Sequence, residues 1–181
     1  MLYKDAVSTI LLDLPGAARA TVIDAMREMT SHFCRETLAW RDTEKTALVP
    51  GIDKYMVGGA TGEAIYVFSV TTDSGQTYTT QPVRIIAGEA VIAPPPDVML
   101  VDIEVALSPP FGHQSESIPE ALYRYIDALA LGTKWRLKSM VGQEWTDPMG
   151  ADLAYRQYRN RVEQALLDNS TARRVMPRPF V

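Results

Sequence analysis

Apolar residues recur along this chain with two different periods. From Ala17 to about Thr37, Val22, Met26, Met29 and Phe33 fall at spacings of three and four, one face of a helix, and no Gly or Pro interrupts Val22 to Phe33. The run before it, Leu2 to about Leu12, is apolar but short, and Pro15-Gly16 breaks it. A second helical stretch opens at Ser117-Ile118-Pro119-Glu120, which has the form of a capping box with Pro in the first turn. Leu122, Tyr125, Ile126, Leu129 and Leu137 mark its buried stripe, and Gly142 can supply the left-handed residue that ends it. Asp147-Pro148 then sets the N-cap and first position of a third helix, with Ala151, Ala154, Tyr155, Tyr158, Val162, Ala165 and Leu166 as its stripe to about Asn169. Two helices joined by a short loop usually pack antiparallel. At ~1.5–3 kcal/mol per fully buried large side chain, their facing stripes contribute on the order of 10 kcal/mol before entropy.

Between these helical stretches the period changes to two. Ala64 to Thr71 is β-branched and aromatic and reads as a strand. Asp73-Ser74-Gly75 follows, and Gln76 to Thr80 alternates, which predicts a hairpin. Val83–Ile86, Glu89–Ile92 and Met99–Leu107 are further candidate strands. In the last, Asp102 and Glu104 alternate with Val101, Ile103 and Val105, one dry face and one wet, as in an antiparallel sheet. Pro94-Pro95-Pro96 is a stiff extended connector. The expected fold is α+β: a small antiparallel helical bundle (residues 1–37 and 108–169) with an inserted antiparallel β module (38–107) and an extended C-terminal tail (170–181), all within a single domain spanning 1–181. Two prolines forbid regular helix beyond Met176, and the twelve tail residues reach ~40 Å when extended.

Composition adds bounds. With 181 residues, 46% hydrophobic and 22% charged, the chain can bury a substantial core and is not a disordered polymer. No apolar run reaches the length of a membrane span, the N-terminal residues do not read as a signal peptide, and the single Cys34 excludes an intramolecular disulfide. Folding in a cytoplasm is the natural expectation. The net charge of −4 argues against wholesale nucleic-acid binding, but it is unevenly spread: residues 1–107 carry −6, residues 108–181 carry +2, and the stretch from Arg156 onward carries +4. Opposite ends of opposite sign can steer head-to-tail association or docking on an acidic partner.

Candidate chemistry is sparse. His32 and Glu36 share a helix face but are two ligands, too few for a closed metal site. Cys34 points away from His32 and reads as a small buried hydrophobe. His113 is a loop histidine. The glycine-rich Val57-Gly58-Gly59-Ala60-Thr61-Gly62 precedes a strand and fits neither phosphate-loop pattern. Trp40, Trp135 and Trp145 read as packing or interface anchors. No catalytic residue, metal or cofactor is expected; an enzyme or ligand-binding domain and a DNA-binding module are the alternatives from other classes.

Several short motifs occur in a familiar order. Val105-Ala106-Leu107-Ser108-Pro109 ends a strand; Ile118-Pro119-Glu120-Ala121-Leu122-Tyr123 opens a helix running through Ala128-Leu129-Ala130-Leu131-Gly132; Trp145-Thr146-Asp147-Pro148 opens the next, with Ala154-Tyr155 and Tyr158-Arg159 after it. Arg174-Val175-Met176-Pro177-Arg178-Pro179-Phe180 closes the chain, and Leu14-Pro15-Gly16-Ala17 precedes the first long helix. This order resembles the head-to-tail adaptor (connector) proteins of tailed bacteriophages, including tail tubular adaptors. The resemblance implies a non-enzymatic virion protein in the neck of the particle, made in the host bacterial cytoplasm. Copies, typically twelve, form a ring beneath the portal, hold the tail or tail tube, and enclose the channel through which DNA passes without sequence-specific binding. It implies that Arg173, Arg174, Val175, Arg178 and Phe180 grip the portal protein. Leu122, Ile126, Leu129, Tyr158 and Val162 would belong to the helices that build the ring. Tyr66, Phe68 and Tyr78 of the β module would face the tail or a neighbour. Another virion ring protein, such as a tail terminator or head-completion protein, is the nearest alternative.

Overall fold

The elements run α1 (Tyr3–Ala6), α2 (Ser8–Leu11), α3 (Arg19–Thr37), β1 (Trp40–Leu48), β2 (Lys54–Met56), β3 (Glu63–Thr72), β4 (Arg84–Ile86), β5 (Glu89–Val91), β6 (Met99–Ser108), a 3-10 helix (Glu120–Tyr125), α4 (Ile126–Lys138) and α5 (Pro148–Thr171). The structure is a computed structural model that describes residues 1–58, 62–79, 83–86, 88–110, 112 and 115–171. The chain is thus mixed α and β, and it divides into two compact units: Met1–Ala39 with Phe111–Val181, and Trp40–Pro110.

In the helical unit, α3 buries the whole expected stripe, Val22, Met26, Met29 and Phe33, together with Ala25 and Cys34. Its buried hydroxyls cost little, because Thr30 and Thr37 donate to the carbonyls of Met26 (2.8 Å) and Phe33 (2.7 Å) one turn back. Leu38 ends the helix in the left-handed region (φ 52°), its N–H donating to Cys34 O at 2.8 Å. Asn169 Nδ2, from the far end of α5, donates to Thr37 O at 3.1 Å and satisfies one more terminal carbonyl.

The capping box does not form. Ser117 lies in a β-bridge with Leu2, flanked by Ile118 N–H to Met1 O and Tyr3 N–H to Glu116 O, both 3.0 Å. That extended backbone pushes the helix start to Glu120, with Pro119 as N-cap and no capping side chain, and the first six residues wind as a 3-10 helix. Gly142 does have positive φ (83°), yet α4 stops at Lys138 on a right-handed Ser139, so the glycine shapes the following loop and does not end the helix. Asp147-Pro148 does open α5: Asp147 Oδ1 accepts from Gly150 N–H at 2.9 Å, an N-cap bond to the third helical residue.

Residues pair in reverse order along α4 and α5: Lys138 with Asp147, Trp135 with Tyr155, Gly132 with Tyr158. The two helices are therefore antiparallel. The α5 stripe narrows to Ala151, Ala154, Tyr158, Val162, Ala165 and Asn169, while Tyr155 (39% exposed) and Leu166 (42%) flank it. Ile126 is half-buried. Gly132 is required by close approach: a Cβ there would lie 2.7 Å from Met29 Cε and 3.1 Å from the Tyr158 ring.

The second unit holds two three-stranded antiparallel sheets, ordered β1-β6-β3 and β2-β5-β4. In the first, β6 is central and buries Val101, Ile103, Val105 and Leu107, with Asp102 and Glu104 on the wetter face, as its alternation implies. The register runs unbroken from Trp40 opposite Leu107 to Leu48 opposite Met99, whereas β3 carries irregularities at Ala64/Tyr66 and Val67/Ser69. The expected hairpin forms in part, its second arm pairing through Tyr78 without a regular strand. Thr72 and Gln76 close a turn (N–H to O, 2.9 Å), and the Thr71–Thr77 bridge follows. Tyr78 is held twice, by its backbone N–H, which donates to Val70 O at 2.8 Å, and by its phenol, which donates to Ala93 O at 2.9 Å. Gly58 (φ 114°) sits where a Cβ would be 2.9 Å from backbone atoms of Gly62 and Ala64.

Candidate functional site

In the helical unit α3, α4 and α5 enclose a cleft of about 430 Å³ lined by His32, Arg35, Glu36, Trp135, Tyr155, Tyr158 and Arg159. Two helices supply their residues at the same spacing. Positions 32, 35 and 36 of α3 and 155, 158 and 159 of α5 each form an i, i+3, i+4 set, which places three side chains on one helix face. Trp135 of α4 forms the wall between them.

Tyr158 is the centre of the arrangement. It is 1% exposed, and its hydroxyl lies 3.2 Å from His32 Nδ1 and donates to Glu36 Oε2 at 3.5 Å. Arg159 Nη1 donates to Glu36 Oε1, and His32 Nδ1 lies 3.7 Å from Glu36 Oε2. Burial, and then the nearby Glu36 carboxylate, push the Tyr158 phenol well above its ordinary range, so it remains a neutral donor. The bond to Glu36 raises the Arg159 guanidinium further. The Trp135 ring stands 4.8 Å from that of Tyr155 and 6.0 Å, near-parallel, from that of Tyr158. The cleft thus presents flat apolar walls beside two guanidinium groups and one carboxylate. The His32–Glu36 pair is legible in the sequence, but its partners from α4 and α5, about a hundred residues away, are not.

Among the described residues no group of three or more His, Cys, Asp or Glu is placed to hold a metal ion, and no helix is long and apolar enough to cross a membrane. Cys34 is fully buried, and burial pushes its thiol up to about 12. Leu122, Leu129, Tyr158 and Val162 are buried in the helical unit's own core, so contacts of these helices with another molecule must use other faces. In the β unit, Tyr66 (39% exposed) packs edge-on to Phe68 at 5.1 Å, and the Arg41 guanidinium lies 4.1 Å over the Phe68 ring. Arg173, Arg174, Val175, Arg178, Phe180 and His113 lie outside the described residues. Trp40 is buried, whereas Trp135 and Trp145 are partly exposed, and the indole N–H of Trp145 is buried without a hydrogen-bond partner.

Compared with known proteins, the chain matches no protein-family model and no curated protein sequence.

Proposed function

We propose that this chain is a head-to-tail adaptor of a tailed bacteriophage, a structural protein that joins the portal to the tail or tail tube. In this reading the helices form a small antiparallel bundle, residues 40–110 are its β insertion, and the residues after Thr171 form the arm that grips the portal. Copies assemble into a ring, twelve in the family it resembles, around the DNA exit channel of the virion neck. The observation that carries the reading is the order of the units: one helical unit built from residues 1–39 and 111–181, interrupted by an all-β unit of 40–110. That is the order implied by the motifs from Val105 to Phe180. Two further features support it. A ring needs contacts between unlike patches, and the chain carries opposite charge toward its two ends. A conduit for DNA benefits from weak attraction to phosphate, and the net charge is −4.

Truncation after Thr171 tests the proposal, because it keeps α5 whole and removes the basic segment with Arg173, Arg174, Val175, Arg178 and Phe180. The expected result is a protein with unchanged helical circular dichroism that no longer co-sediments with portal. Normal joining by the truncated chain refutes the arm assignment. Cross-links to tail proteins without any to portal point to a tail terminator or head-completion protein instead.

A further inference from the structure

The cleft between α3, α4 and α5 offers rings to a partner more than it offers ions. Arg159 is already held by Glu36, and the Tyr158 hydroxyl donates to the same carboxylate. What faces solvent is the aromatic wall of Trp135 and Tyr155, whose rings stand 4.8 Å apart, with Tyr155 39% exposed. The same flank of α5 carries a second apolar side chain, Leu166, which is 42% exposed. Tyr155 and Leu166 are eleven residues apart on one helix. Eleven residues make three turns to within about 20°, so the two side chains stand in one row about 16 Å apart.

The C-terminal residues, which lie outside the described ones, have a pattern that fits such a row. Each proline fixes its own φ and biases the residue before it toward extended backbone, so Met176-Pro177-Arg178-Pro179 favours polyproline II. That helix has three residues per turn. Met176 and Pro179 then share one edge, Pro177 and Phe180 share a second, and Arg178 stands on the third. From Met176 to Phe180 two edges are wholly apolar, and the only cation is on the edge opposite them.

We propose that the C-terminal segment folds back along α5 of its own chain and lays these two apolar edges on Leu166 and on the Trp135–Tyr155 wall, with Arg178 turned to water, away from Arg35 and Arg159. Chain length selects this occupant. The α5 residues of the cleft, Tyr155 to Arg159, lie twelve to sixteen residues before the helix end at Thr171, about 18–24 Å along its axis. Residues 172–181 span about 31 Å as polyproline II. They reach Tyr155 with about 7 Å, roughly two residues, left for the reversal at the helix end. That register sets Met176 beside Leu166 and Phe180 beside Tyr158 and Tyr155. A segment tethered this close meets the cleft at a high effective concentration, which the same segment of another molecule lacks. Prolines docked on an aromatic wall are a recurring mode of recognition, and the preformed polyproline helix loses little entropy on binding. The contact stands on its own. Its consequence rests on the adaptor reading, in which the same residues grip the portal: an arm held in the cleft is withheld from the portal until the portal displaces it.

Trypsin tests this on the full chain, because a cut after Arg174 frees residues 175–181, whose mass identifies it. Cutting requires the segment to leave the cleft, so its rate follows the population of the open form. The unaltered chain is compared with Tyr155→Ala, which removes part of the wall, Phe180→Ser, which breaks one apolar edge and alters only the segment, and Arg178→Gln on the third edge. Circular dichroism checks that each variant keeps the fold. The expected result is release roughly tenfold faster in Tyr155→Ala and in Phe180→Ser, an unchanged rate in Arg178→Gln, and no dependence on protein concentration. Equal rates in all four chains overturn the proposal, and so does an acceleration by Arg178→Gln as large as that by Phe180→Ser. Protection that grows with protein concentration gives the cleft to the arm of a second copy and likewise overturns the fold-back. Co-sedimentation with portal separates the two readings. A freely cut arm on a chain that joins portal leaves only the adaptor reading standing, and a protected arm on a chain that ignores portal leaves only the fold-back.

Discussion

Gly132 sets two energetic effects against each other at one position. Alanine in the middle of a helix is favoured over glycine by about 1 kcal/mol. An added Cβ, however, falls 2.7 Å from Met29 Cε and 3.1 and 3.2 Å from two carbons of the Tyr158 ring. Met29 can move its terminal methyl at little cost. The ring cannot move so easily: Tyr158 is 1% exposed, near-parallel to Trp135, and tied through its hydroxyl to Glu36. Overpacking of this kind costs about 1–3 kcal/mol, so Gly132→Ala should be net destabilising by about 1 kcal/mol. Gly132→Val adds further methyl groups toward the same ring and should lose about 3 kcal/mol or more, within the range for core overpacking combined with β-branching. Urea denaturation followed by helical circular dichroism reads both, and the thermal midpoint should fall by about 2–4 °C per kcal/mol for a chain of this length. A Gly132→Ala variant that is more stable by the full propensity difference would show that α4 and α5 do not approach as described.

Two other outcomes follow from titratable groups. Asp147 is held below the ordinary aspartate range, first by the Gly150 N–H and then by Lys138. A lowered pKa in the folded state gives stability that is whole above the ordinary value and lost as pH falls through the lowered one. Asp147→Asn, which keeps a capping oxygen, should therefore make the urea midpoint less dependent on pH in the acid range, and an unchanged dependence refutes the assignment. Cys34 should resist a thiol reagent in the native protein at mildly alkaline pH and react at the rate of unfolding, because its thiol is fully buried and shifted up to about 12; prompt labelling of folded protein would contradict this placement.

The elements legible in the sequence are those whose burial follows from local period alone. The α3 stripe, the Asp147-Pro148 start and the alternation of β6 all belong to this class. Other features were settled by partners distant in sequence. β1 reads poorly because its interior, Arg41-Asp42-Thr43-Glu44-Lys45-Thr46, is polar, and it is a strand because β6 pairs with it along its whole length. The Ser117 capping box failed because pairing with Leu2, more than a hundred residues earlier, fixed that backbone as extended. The spacing allows a wide face that includes Tyr155 and Leu166, but packing covers a narrower one and leaves both partly exposed. The cleft shows the same limit. His32 and Glu36 are neighbours by helix geometry, whereas Trp135, Tyr158 and Arg159 reach them only through packing.

Trp40 stands opposite Leu107 in the β1–β6 ladder, so the strand that begins the β unit and the strand that ends it are tied side by side at their outer ends. Once those two strands are zipped, the two ends of the β unit lie about one strand spacing apart, roughly 5 Å. Loop closure then carries the entropic cost of a short link. The strands between can lengthen, shorten or change their surface while that clasp stays shut.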